Sequence, residues 1–389
     1  MDSQLDYYAE TYEANRADFR TLLEEVKSYW PAAELSRYPI EAGDEDLTID
    51  LIRALPINER KQLIFLSTAL HGIEGYVGAA VVKLFVKEYL HQLNPDDTGL
   101  YLVHAINPWG MKHCRRVNEN NVDLNRNFIF KQSNEEKELN RAYDQAHSFL
   151  NPQKPLKSVS NPFFYLKLLN QILSMGLANF REAVLYGQYR YPQGLYYGGI
   201  GFERSTKILS SLFQEAASFC KRFLLIDMHS GYGPRYQMTL VNSIHEKRAS
   251  ADLQAAFNYP LVAKSDPDEF YQMQGDMVDY LYQVMESQFP GKYFYATSFE
   301  FGTFGSSFGA VVQSLKAMIN ENRASLYGAA SEKEAARARH IFCELFYPAE
   351  KQWREKVLHD ARTAFTGILT AEKFIEQGER GMLNGEDQD

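Results

Sequence analysis

Hydrophobic and polar residues alternate over 46–55 (DLTIDLIRAL), a period of two that predicts a half-buried strand. Over 62–70 (QLIFLSTAL) the apolar run is almost unbroken, as in a strand covered on both faces. Between 75 and 93 (GYVGAAVVKLFVKEYLHQL) the apolar positions take helical spacing, and 100–106 returns to strand character. Strand, helix and strand at this separation predict a βαβ unit and a mostly parallel sheet. Residues 107–128 are polar, rich in Asn and without a clean period, so they predict a long loop. Three helical patterns fill 133–219, interrupted by the Gly/Tyr/Pro-rich stretch 186–201 (YGQYRYPQGLYYGGIG). Strand patterns resume at 223–228, 236–241 and 293–301, with helices at 247–257 and 275–287 between them. After Phe308 the pattern is helical throughout, over 311–327, 331–346 and 353–374. The class is α/β.

Composition narrows the function. Of 389 residues 45% are hydrophobic and 14% aromatic, enough for a large packed core, so disorder is excluded as the main state. The net charge of −9 and the absence of a long Lys/Arg run argue against nucleic acid or an anionic membrane as partner. Cys114, Cys220 and Cys343 are odd in number and far apart, which fits neither a disulfide framework nor a CxxC metal pair. The first residues are acidic and polar, and no run of ~18 apolar residues occurs. A soluble, cytoplasmic chain is expected.

The turn after the buried strand reads His71-Gly72-Ile73-Glu74-Gly75. An imidazole and a carboxylate three residues apart, at the C-terminal mouth of a parallel strand, can reach one cation. HxxE alone is a weak signal. A second buried run, FLLIDM, leads directly into His229, and the three side chains together have the His₂Glu composition of catalytic zinc. A third strand pattern places Glu300 within YFYATSFEF. A carboxylate in so apolar a segment needs a partner or a function, and beside a metal it can serve as general base. The pattern itself also permits Glu300 to point outward from an alternating strand. The loop from Asn107 to Phe128 carries Arg115, Arg116 and Arg126 among several amides, a donor set suited to carboxylates and oxyanions.

At this point the chain resembles the zinc carboxypeptidase superfamily, which includes carboxypeptidase A and the succinylglutamate desuccinylase/aspartoacylase branch. The resemblance rests on HGIEG at 71–75, NPWG at 107–110, RVNENNVDLNRNF at 116–128, DMHSGYG at 227–233 and TSFEFGTFG at 297–305, in that order. HGxE is more like the desuccinylase branch and VDLNRNF more like the carboxypeptidases, while QYRYPQGLYYGG resembles a subgroup that carries this insertion. The resemblance implies a three-layer α/β/α fold with a mixed, mainly parallel sheet. It implies one zinc ion (Zn2+) on His71, Glu74 and His229, with Glu300 as general base and Arg116 steadying the oxyanion. Asn125 and Arg126 would hold a substrate carboxylate, Asp123 would orient His71, and Tyr271 would cover the substrate. The implied substrate is a small peptide or an N-acyl amino acid, so the reaction is carboxypeptidase-type cleavage or, alternatively, deacylation.

By motif position the chain is one catalytic domain (1–389) enlarged by an insertion over 129–219 and a helical C-terminal extension over 311–389. The insertion is expected to roof the pocket and restrict substrates to small ones. Asn121 stands where the motif usually has glycine, which left-handed backbone geometry tolerates. Two other readings compete. Gly305-Ser306-Ser307-Phe308-Gly309 fits the G-x-S-x-G pattern of a serine hydrolase with Ser307 as nucleophile, although the strand ends early and only His340 and His359 follow. A relative that binds without catalysis is the other, and it would not need Glu300 and Arg116 beside the three ligands.

Overall fold

A computed structural model describes residues 4–129, 140–266 and 273–376. Its strands are β1 (Glu34–Pro39), β2 (Thr48–Ala54), β3 (Gln62–Ser67), β4 (Thr98–His104), β5 (Arg222–Ser230), β6 (Met238–Asn242), β7 (Val262–Lys264) and β8 (Tyr293–Phe301). They form one sheet in the order β1-β2-β4-β3-β5-β8-β6-β7. The β3–β4, β3–β5, β5–β8 and β6–β7 pairs are parallel, and the β1–β2, β2–β4 and β6–β8 pairs antiparallel. The sheet is therefore mixed and mainly parallel.

Its central strands are apolar on consecutive residues because each face of the sheet is covered. Leu63 and Phe65 of β3 enter one core with Phe223 and Leu225 of β5, while Ile64 and Leu66 enter another with Leu224 and Ile226. The first core is closed by α7 (Arg204–Phe219) and α9 (Met277–Gln288), joined by α4 (Arg141–Leu150), α5 (Phe164–Met175), α6 (Leu177–Leu185), α10 (Phe308–Tyr327) and α11 (Glu332–Phe346). The second is closed by α1 (Tyr12–Lys27), α2 (Gly75–Tyr89), α8 (Ser250–Phe257) and α12 (Lys351–Ala371). The result is a three-layer α/β/α architecture. The last helix lies within the second layer, where Phe365, Ile368 and Leu369 are fully buried.

Three details depart from the sequence pattern. The alternating β2 is buried on both faces, because α1 covers its polar side and Arg20 Nε meets Asp50 Oδ2 at 2.6 Å. The stretch 107–128 is not all loop: it holds α3 (Pro108–Lys112), started by Asn107, whose side chain accepts from the Gly110 N–H, and a 3₁₀ turn at Leu124–Arg126. Four helices, not three, occupy the described part of 133–219.

The topology also places the site. From β3 the chain crosses through α2 to β4 on one side, whereas β5 pairs with β3 on the other. Such a reversal opens a crevice at the carboxyl ends of the strands. The ends of β3, β5 and β8 all face it.

Candidate metal centre

Past β3 the backbone turns sharply at Ala69 (φ 60°) and delivers His71 and Glu74 to the crevice. The turn is pinned from outside, since Gly72 N–H donates to Arg116 O (3.2 Å) and Ile73 N–H to Arg115 O (2.9 Å). A Cβ on Gly72 would lie 2.1 Å from the Gly110 backbone, so HGIEG and NPWG pack main chain against main chain and leave no room for a side chain at 72. This contact brings the arginine loop to His71 and Glu74.

His71, Glu74 and His229 form a buried group whose ligand atoms all lie within 4.8 Å of one another. Glu74 sits between the histidines, with Oε1 2.9 Å from His71 Nδ1 and Oε2 3.0 Å from His229 Nδ1. The outward nitrogens are held by two carboxylates, His71 Nε2 by Asp123 Oδ1 at 3.0 Å and His229 Nε2 by Asp227 Oδ2 at 2.6 Å. With Nε2 thus engaged, each ring turns Nδ1 inward. His71 Nδ1 is buried and its contact with Glu74 Oε1 lacks hydrogen-bond geometry, the condition of a nitrogen that keeps its lone pair for a cation. Two imidazoles that turn Nδ1 inward, each neutral there once a cation displaces its proton, and one carboxylate fit a divalent zinc-type ion in chemistry as well as position.

Glu300 is brought to the same place by sheet register, because it is the Cα partner of His229 across the β5–β8 pair. It is buried, and its Oε1 accepts from the Tyr232 N–H at 3.0 Å. Burial, followed by the charge of Glu74, pushes its carboxyl up to about 7. Glu74 goes the other way: burial alone would raise it, but His71 and His229 outweigh burial and hold it at about 2. Two buried carboxyls with affinities forced apart are the arrangement that separates a ligand from a proton carrier.

Arg116 lies against both acids, Nε 3.0 Å from Asp123 Oδ2 and Nη1 3.3 Å from Glu74 Oε1. Asp123 also accepts from the Asn125 N–H at 3.1 Å. Despite burial, its carboxyl is held well below the usual range by Arg116, then by His71 and Arg126. His229 is shifted well above the ordinary imidazole value, because Asp227 and Glu74 overcome the effect of burial.

The two residues expected at a substrate carboxylate are differently placed. Asn125 lines a polar pocket beside His229 and Glu300, together with Ser243, Ser265 and Asp276. Its Nδ2 donates to Asp276 Oδ2 (3.0 Å) and its Oδ1 accepts from the Met277 N–H (2.9 Å). Arg126 does not line that pocket. It is buried, with Nη1 donating to Asn125 O and Nη2 to Leu185 O, both at 3.0 Å. The stretch 185–201 supports this loop from behind: Tyr189 Oη donates to Arg126 O at 2.7 Å, and Asp123 N–H donates to Tyr197 O at 2.7 Å. Asn121 adopts φ 58°, the left-handed geometry foreseen for it. Ser307 is the N-cap of α10, its side chain accepting from the Ala310 N–H. Tyr271 lies outside the described residues.

Two contributors were not singled out in the sequence. Asp227 stands two residues before His229 on β5, which places both side chains on one face. The DxH spacing was the available signal. The Ser230 N–H, which donates to Glu74 Oε2 at 3.1 Å, left no trace in side-chain identity.

Residues 8–360 match the family model described as "Protein of unknown function (DUF2817)". The chain belongs to this family. No curated protein sequence matches this DUF2817 chain. Among solved structures it is similar to carboxypeptidase A from Helicoverpa armigera, with 14% identity, TM-score 0.45 and coverage of 88% of this chain and 74% of that one. It is also similar to bovine thrombin-activatable fibrinolysis inhibitor, with 14% identity, TM-score 0.44 and coverage of 87% and 97%. The succinylglutamate desuccinylase of Chromobacterium violaceum is a further similar structure, with 14% identity, TM-score 0.36 and coverage of 80% and 77%.

Proposed function

We propose that this protein is a metal-dependent hydrolase that cleaves an amide bond near a free carboxylate. The observation that carries the reading is the buried Glu300 beside two inward-turned Nδ1 atoms and Glu74, with each Nε2 held by an aspartate. His71, Glu74 and His229 would hold one zinc ion, which when bound supplies Lewis acidity and makes water a nucleophile near neutral pH.

The protein's own groups perform the remaining work. Glu300, with its carboxyl near neutrality, takes the proton from the attacking water and returns it to the leaving amine. The Tyr232 N–H fixes the direction of that carboxylate. Arg116, held by Asp123 through Nε and by Glu74 through Nη1, places a fixed positive charge beside the oxyanion. Asn125 lines the small pocket beside His229 and Glu300, where a substrate carboxylate would lie. Arg126, whose Nη1 and Nη2 are bonded to Asn125 O and Leu185 O, keeps a buried Nε without a partner, and in this reading that donor serves a substrate carboxylate.

The test is a zinc-loaded preparation assayed against dipeptides, muropeptides and N-acyl amino acids, with Glu300→Gln as the comparison. The panel separates carboxypeptidase-type cleavage from deacylation. The variant should lose ~10²–10⁴-fold in kcat, the usual contribution of a general base, while keeping one equivalent of zinc by elemental analysis. Undiminished turnover in Glu300→Gln would refute the assignment.

A further inference from the structure

The insertion meets α10 and α11 along a cleft that holds two neighbouring cavities, of about 440 and 280 Å³. Phe149, Phe164 and Ile319 give the larger one an apolar wall, and Lys154, Lys167, Lys316 and Arg323 stand around it. Arg337 adds a fifth cation in the smaller, whose other walls include Tyr165, Phe304 and Ile341. Lys316 and Asn320 belong to both cavities, and neither cavity shares a residue with the pocket beside His229 and Glu300.

In a chain of net charge −9, the signs of these groups are one-sided. Among the described residues no Asp or Glu lines either cavity, and none of the five cations has a carboxylate partner. Two acids close by in sequence are engaged elsewhere, Glu321 Oε1 with Arg115 Nε and Glu334 Oε2 with the Val159 N–H, both at 2.6 Å. Lys316 Nζ sits over the rings of Phe164 (5.4 Å) and Tyr165 (5.2 Å). Arg323 is fixed by backbone carbonyls, its Nε donating to Lys154 O and its Nη2 to Pro155 O at 2.7 Å. Burial and then the charge of Arg337 push the pKa of Lys316 down, so like charges gathered here repel and a bound anion would offset the cost. A second observation points the same way. Asn320 is only 8% exposed, yet its amide has no hydrogen-bond partner among the described residues, where buried amides are ordinarily bonded.

We propose that this cleft binds a phosphate monoester with an apolar body. Lys154, Lys167, Lys316 and Arg323 surround the phosphate, Asn320 hydrogen-bonds it, and the body lies against Phe149, Phe164 and Ile319. Charge selects the head group: a carboxylate brings one negative charge to four cations, whereas a phosphate monoester brings about −1.5 to −2 at pH 7 and three acceptor oxygens. The wall selects the body. An inorganic ion would use the cations and leave the aromatic and aliphatic side chains of a cavity this size uncovered.

The experiment is calorimetric titration of the zinc-loaded full chain at low ionic strength with octyl phosphate, 1-naphthyl phosphate and inorganic phosphate. At least one ester should bind with a dissociation constant on the order of 0.1 mM or tighter, and the tighter of the two identifies the body as aliphatic or aromatic. Inorganic phosphate should bind at least ~10-fold more weakly, because it buries no apolar surface. The double variant Lys167→Gln, Lys316→Gln should weaken the ester at least ~10-fold at unchanged zinc content. Asn320→Leu, which alters no charge, is the second variant and should weaken it ~3-fold or more. Failure of both esters to bind at about 5 mM overturns the proposal. So does wild-type affinity in the two variants, which would put the ester elsewhere, at the zinc ion for example. Inorganic phosphate bound as tightly as the esters overturns it too, since the apolar wall then contributes nothing.

Discussion

Replacing Asp227 by Asn tests the metal centre through a residue outside the ligand set. Its carboxylate is fully buried, lies 2.6 Å from His229 Nε2 and accepts from Ser67 Oγ at 2.6 Å. The amide oxygen of Asn can still face Nε2, so the ring keeps its orientation while the negative charge behind it is removed. Loss of such outer partners lowers metal affinity 10–100-fold, about 1.4–2.8 kcal/mol. The upper end is expected here. Asp123, behind the other histidine, shares its charge with Arg116 at 3.0 Å, whereas His229 is the ion-pair partner of Asp227 among the described residues. The assay is competition for zinc against a chromophoric chelator, with Asp252→Asn on the exposed surface of α8 as control. A second readout follows by linkage: with zinc in excess, a 100-fold weaker site stabilises the fold by about 2.7 kcal/mol less. Wild-type zinc affinity in Asp227→Asn, or an equal loss in Asp252→Asn, would show that His229 is not oriented as argued.

Two further predictions concern stability. His104 in β4 is fully buried, stacks on Phe19 at 5.1 Å and leaves both ring nitrogens without hydrogen bonds, and burial pushes its pKa down to about 4. The unfolded chain then binds the extra proton between about pH 6.5 and 4, so stability falls with falling pH across that window, by about 3 kcal/mol at 1.36 kcal/mol per pH unit. Urea unfolding at both pH values should show His104→Leu losing that much less than wild type, and matched slopes would contradict the assignment. Gly367 in α12 packs on α8 so closely that a Cβ would lie 1.9 Å from Phe257 O, whereas nothing lies within 4 Å of one on Gly309. Gly367→Ala should cost ~1–3 kcal/mol or more and lower Tm by several degrees, and Gly309→Ala should leave Tm unchanged or raise it.

The strands that carry the site were legible because each is long, apolar and bounded by polar turns. The 293–301 pattern is β8 to the residue, and 223–228 lies within β5, which continues to Ser230 and takes His229 into the sheet. Glu300 could not be resolved by alternation, since burial on both faces removes the contrast between inward and outward positions. Only its pairing with His229 decides it. The edge elements were harder. In β1 no residue is fully buried and β7 has three residues, so neither offers a period to read. α1 went unnoticed because its inward face mixes Tyr12 and Asn15 with Phe19 and Leu22. Arg126 illustrates a different limit. Its motif was plain in the sequence, but its present partner, Leu185 O, lies 59 residues away, and a backbone carbonyl leaves no signature in the residue that bears it.

The register of β5 on β8 has a consequence for how this scaffold can change. Because His229 and Glu300 sit opposite each other on neighbouring strands, their spacing is a property of the sheet, fixed near the ~4.8 Å between adjacent chains. Arg116, Asn125 and Arg126 instead ride on a loop held by Leu185, Tyr189 and Pro192. Glu300 is thus positioned by the sheet itself, whereas Arg116, Asn125 and Arg126 depend on contacts with a separate segment. In the proposed reading, changes in 185–201 would move the loop that carries Arg116, Asn125 and Arg126 while leaving the His229–Glu300 strand pair in place.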